Sequence, residues 1–122
     1  MSTTQTAESQ SAITPSQAIE MLKQGNVRFT SDSAMSRDYK SQISQTAGGQ
    51  YPFAAVVSCI DSRIPTEIVF DQGIGDIFNA RIAGNFVNED ILGSLEFACK
   101  VAGAKAIAVS YTHLTLPTTP YV

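Results

Sequence analysis

FAAVVSCIDSRIP, residues 53–65, changes character halfway along. Residues 53–57 are an unbroken apolar run of strand length, the pattern of a strand covered on both faces, as in parallel sheets. The run gives way at Ser58, and Cys59, Asp61 and Arg63 follow at every second position. Polar chemistry therefore begins where the strand ends, and in open α/β sheets ligands gather beyond the carboxyl ends of strands.

Downstream, Pro65 starts a short helix, PTEIVF, which gives way to the two-glycine turn DQGIGD at 71–76. IFNARIAGN, 77–85, reads as a second strand running into a glycine turn. Asn88 then caps a helix whose first turn carries Glu89 and Asp90, favourable to the helix dipole. Ile91, Leu95, Ala98 and Ala102 recur on one helical face, and Gly103 is the natural stop. AKAIAV, 104–109, gives a third buried strand.

Upstream, TPSQAIEMLKQGNVRF, 14–29, has Thr14 as N-cap, Pro15 at the first helical position and Gln17 three residues after the cap. Ala18, Met21, Leu22 and Phe29 form its apolar stripe, and Gly25-Asn26 marks an end or a break. Residues 30–50 are polar and predict a loop with one short surface helix, and the Ser, Thr and Gln-rich residues 1–12 predict a flexible leader. Strand, helix, strand, helix, strand predicts one α/β domain over 13–109, a largely parallel sheet flanked by helices.

The 122-residue chain has room for one such domain. Its apolar content of 43% with 16% charged residues is globular composition, and a net charge of −3 offers no basic face for nucleic acid or an anionic membrane. A small neutral or anionic metabolite is the expected partner class. No apolar run reaches the roughly 18 to 20 residues that span a bilayer, and the first residues lack a secretory pattern, so a cytoplasmic location is expected. Cys59 and Cys99 form no Cys-x-x-Cys and are expected to be thiols or metal ligands.

Residue type alone leaves Cys59 two readings. It is a small buried hydrophobe, or a thiol in a polar, partly positive setting that favours the thiolate, the form that binds metals or attacks. Asp61 and Arg63 meet if the loop turns, and the guanidinium fork would then orient the carboxylate. The plain alternative is a surface ion pair worth at most about 1 kcal/mol. One thiolate is also too few for zinc, which takes four ligands. Cys99 lies on its helix beside Leu92 and Leu95 and reads as packing.

CIDSRIP at 59–65, with GNVRF at 25–29 before it and ARIAGN at 80–85 after it, resembles the β-class carbonic anhydrases over residues 15–109. The resemblance implies that family's α/β fold, a zinc cofactor, interconversion of carbon dioxide and bicarbonate, and a homo-oligomer of at least two chains. It implies Cys59 as the first zinc ligand. Asp61 either accepts a hydrogen bond from the zinc-bound water or itself occupies a zinc position, and Arg63 is the partner that draws Asp61 off the metal. Gln50 is placed to hold a substrate oxygen. Phe78 and Ala83 fall where an apolar carbon dioxide pocket is completed from a neighbouring subunit, with core packing the alternative for both. A carbonyl sulfide or carbon disulfide hydrolase on the same site, and a metal-free domain with Cys59 packed, are the competing functions.

The chain departs from the family after its third strand. There the family continues into Gly-His-x-x-Cys, which supplies the remaining two ligands and should fall at 112 and 115. Those positions are Thr112 and Thr115, and His113 is one place out, which on a strand turns the side chain to the opposite face. VSYTHLTLPT, 109–118, resembles the conceptual translation of a transposase adapter used in sequencing libraries. Residues 110–122 are accordingly expected to be a non-native tail on a truncated domain that is inactive as it stands and leaves 106–109 uncovered.

Overall fold

The computed structural model describes residues 3–110. Their elements in chain order are α1 (Ala7–Ala12), α2 (Pro15–Thr30), α3 (Tyr39–Gln45), β1 (Ala54–Ser58), α4 (Thr66–Val69), β2 (Ile77–Arg81), α5 (Glu89–Glu96) and β3 (Ile107–Val109). The three strands form one parallel sheet in the order β2-β1-β3. Val56 pairs with Asn79 on one side and Ala108 on the other, so the apolar run is the central strand.

Because side chains alternate across a strand, β1 feeds two cores. Ala54 and Val56 pack with Ala18, Leu22, Phe53 and Ile77 on one face. Ala55 and Val57 pack with Leu95, Ala98 and Ala104 on the other. All five residues of β1 are buried, as the continuous pattern requires.

Three features differ from expectation. Residues 7–12, read as a flexible leader, form α1, because Thr6 and Ser9 bond each other's backbone N–H in a capping box. Gln10 ties α1 down: its Nε2 donates to Pro52 O and Ala102 O, both at 2.7 Å. Helix α2 does not break at Gly25 but runs on to Thr30. A Cβ at Gly25 would stand 1.7 Å from Phe70 O, so this glycine serves the close approach of α2 to the end of α4. Finally, β3 is no buried strand. Ala106 and Ala108 face the first core, while Ile107 and Val109 are 46% and 53% exposed. The helix after Asn88 keeps its expected length but continues beyond Glu96 as a π-helical turn, Phe97–Val101.

The peptide linking α4 to β2 is held by charge. Asp71, in left-handed backbone with φ 47°, receives Arg28 Nε and Arg37 Nη1, each at 2.5 Å, and the Met35 N–H at 3.0 Å. Burial pushes the Asp71 carboxyl up, but those hydrogen bonds, with the charge of Arg37, outweigh it and hold the group below the ordinary carboxylate value. Nearby Asp76 goes the other way, raised by burial against a bond from the Gly73 N–H. Among the described residues no helix is long and apolar enough to cross a membrane.

Candidate functional site

Both sheet partners of β1 follow it in the chain, one on each side, so the order reverses at β1, and its carboxyl end is the switch point of the sheet. The ladder closes there with Ile82 N–H on Ser58 O at 2.9 Å and Ser110 N–H on Val57 O at 2.8 Å. Cys59 is the first residue beyond it and is half-buried.

The Cys59 Sγ accepts from the Gly84 N–H at 3.3 Å. That amide is presented by a turn in which Gly84 (φ 82°) and Asn85 (φ 43°) both take left-handed backbone. Asn85 N–H bonds Ile82 O at 2.8 Å, and its Nδ2 donates to Ser110 O at 3.0 Å, fastening the turn to the end of β3.

Asp61 and Arg63 do meet. Arg63 Nε donates to Asp61 Oδ1 at 2.9 Å and Nη2 to Oδ2 at 2.6 Å, a two-pronged pair. The Arg63 backbone N–H also reaches Oδ1 at 2.9 Å, the turn in which an aspartate bonds the chain two residues on. The Asp61 side chain is 13% exposed and Arg63 73% exposed, so the carboxylate is inward and its guanidinium partner is on the surface. The hydrogen bond to Asp61, then the Asp61 charge, raises the Arg63 pKa above its ordinary value.

One residue with no sequence-assigned role is central. Arg81, the last residue of β2, donates from Nε to Cys59 O at 2.7 Å and from Nη2 to Asp61 O at 2.6 Å. It lies inside ARIAGN, but nothing in a sequence shows that its target is two main-chain oxygens.

The other expected site residues lie elsewhere within the chain. Gln50 is exposed and precedes β1 while Cys59 follows it, with about 16 Å of strand rise between them. Ala83 is exposed and adjoins Gly84. Phe78 pairs with Ala55 on the second core and meets Phe97 edge to face at 6.4 Å. It lines a groove of about 560 Å³ with Ala55, Leu95 and Ala98, which Cys59, Asp61 and Arg63 do not border. Cys99 packs against the second core, as expected.

Zinc needs four ligands. Among the described residues no group of three His, Cys, Asp or Glu side chains is placed to hold a metal. Cys59 and Asp61 give two donors at most, and both carboxylate oxygens of Asp61 face Arg63, so residues 3–110 do not by themselves fit a zinc site. Thr112, His113 and Thr115 lie outside the described residues.

A carbonic anhydrase family model matches residues 54–113. Carbonic anhydrase 2 of Mycobacterium tuberculosis is 39% identical over 99 residues, 78% of this chain and 46% of that protein. A carbonic anhydrase of Mycolicibacterium smegmatis is 40% identical over 97 residues, 78% of this chain and 47% of that one. The chain thus spans about half the length of the curated relatives it matches. Among solved structures, one of two tetrameric β-carbonic anhydrases from Sordaria macrospora superposes with TM-score 0.54 at 28% identity, covering 58% of this chain and 40% of that one. A β-carbonic anhydrase of Aspergillus fumigatus gives TM-score 0.53 at 23% identity over 77% of this chain and 44% of its own, a likeness of fold.

Proposed function

The chain belongs to the carbonic anhydrase family, and on that premise we propose that it is the N-terminal part of an enzyme that interconverts carbon dioxide and bicarbonate with zinc. The observation that carries this reading is the Asp61–Arg63 fork beside Cys59 at the switch point of the parallel sheet.

In this reading Cys59 is a metal ligand, with further donors supplied from outside residues 3–110. Zinc contributes Lewis acidity toward water. The Gly84 N–H supports negative charge on the Cys59 sulfur. Asp61 would accept a hydrogen bond from the attacking water, and Arg63, which forks onto the Asp61 carboxylate, would keep that carboxylate from serving as a metal ligand. Carbon dioxide is linear and apolar and asks for a dry pocket more than for strong binding. Phe78 and Ala83 supply such a surface, and Gln50 a hydrogen bond to a substrate oxygen, once chains associate. The relatives from Sordaria macrospora are described as tetrameric, which supports an oligomer.

With Thr112 and Thr115 where two ligands belong, residues 110–122 are read as a non-native tail. Metal analysis tests the reading on this polypeptide. The 122-residue chain is expected to bind substoichiometric zinc and to show no hydratase activity. Stoichiometric zinc with activity would overturn the assignment of the tail. A product of the intact gene that carries no zinc, or keeps its zinc in Cys59→Ser, would overturn the metal role of Cys59.

A further inference from the structure

Beyond Ser58 the main chain leaves the sheet, and the carbonyls of Cys59 and Asp61 lose the ladder donors that serve residues 54–58. Both still need partners, because they lie in a partly buried loop. Arg81 stands opposite Ser58 in the strand register, at the last rung, and its side chain reaches past the end of the sheet. Its Nε takes one carbonyl and its Nη2 the other, so one planar group sets the spacing of two oxygens on residues two apart.

We infer that Arg81 is the positioning residue for the Cys59–Asp61 pair: by clamping the carbonyls of both residues it fixes how sulfur and carboxylate sit relative to each other. Three other contacts depend on that path. The Cys59 Sγ stays on the Gly84 N–H, the Asp61 carboxylate stays in the Arg63 fork, and the Ile64 N–H stays on Asp61 O at 3.3 Å. Arg63 is on the surface, and its bonds among the described residues go to the Asp61 carboxylate rather than to the main chain of Cys59. Lysine at 81 would keep the charge but not the fork, since an ammonium is a compact point donor.

The inference rests on the proposed roles of Cys59 and Asp61, but its test reads the loop itself. Absence of zinc and of hydratase activity from the product of the intact gene, with the clamp intact, would count against the hydratase reading alone. The variants are Arg81→Lys and Arg81→Gln in the whole chain, followed by amide hydrogen exchange and by iodoacetamide labelling at one pH. The Arg63 and Ile64 amides are expected to exchange about fivefold faster, the change that loss of one ordinary hydrogen bond allows. Val56 and Val57 amides in β1 are expected to keep their rates. Cys59 should label severalfold faster, with Cys99 unchanged as internal reference.

Loop amides and Cys59 at wild-type rates in folded Arg81→Lys would overturn the inference. Equal loosening of loop and β1 would overturn it too, because the arginine would then be a general strut. If neither variant folds, the unmodified chain still decides: the half-buried Arg81 Nε–H is expected to exchange more slowly than that of surface-exposed Arg63, and equal rates would end the case.

Discussion

Asp61 and Arg63 make a pair whose worth lies in direction more than in stability, since a guanidinium 73% exposed to water contributes little to folding. On the proposed function, Arg63→Ala in a zinc-loaded hydratase is therefore expected to leave the melting temperature within a degree or two and the zinc content unchanged while lowering kcat by about 100-fold, the range of a lost catalytic hydrogen bond. Wild-type turnover in that variant would remove the pair from the mechanism. Asp71 is the contrasting carboxylate, buried against Arg28 and Arg37. Its pKa is lowered in the folded chain, so its contribution is complete above the unfolded value of about 3.9 and is lost as pH falls through the lower folded value. Urea midpoints should drop as pH falls below about 4, and Asp71→Asn should flatten that slope and cost about 3 kcal/mol at neutral pH. The fork was legible in sequence because its members are two residues apart. Arg81 was not, because it lies twenty residues from Asp61 and answers carbonyl oxygens, which no side-chain pattern displays.

At the scale of elements, local signals located most starts and stops. Thr14-Pro15 with Gln17 opens α2, and Asn88 caps α5 through its side chain on the Ile91 N–H. The reading failed where tertiary contact overrode local preference. Gly25 looked like punctuation, yet it is the point where α2 meets the carbonyl of Phe70. Gly25→Ala, stabilising in an isolated helix, is expected to destabilise this protein by about 3 kcal/mol, measured by urea unfolding, because the helix must shift away from α4. An unchanged midpoint would mean that α2 and α4 are spaced more loosely. Helix α1 was missed for a related reason: its capping partner is Ser9 rather than Glu or Gln, and its anchor, Gln10, bonds carbonyls far along the chain.

Over the whole molecule, the continuous apolar run correctly announced a parallel sheet, whereas of the 106–109 stretch expected to be uncovered only Ile107 and Val109 are exposed, Ala106 and Ala108 facing the first core. Ile107 and Val109 are exposed on an outer strand beside a groove of about 800 Å³ that Leu92, Phe97, Val101 and Ile107 line. Apolar surface of that kind on a strand at the sheet edge among the described residues promotes self-association. Ile107→Lys is expected to reduce concentration-dependent light scattering of the 122-residue chain without altering its circular dichroism. Scattering unaffected by the charge would place the association elsewhere. The parallel ladder also has a consequence in time. The middle strand leaves the ribosome before either neighbour exists, and Ala55 must wait for Ile107. At a synthesis rate of about 5–20 residues per second, a greasy segment of the nascent polypeptide stays unsatisfied for several seconds, an interval in which a chaperone has more to offer than any later contact.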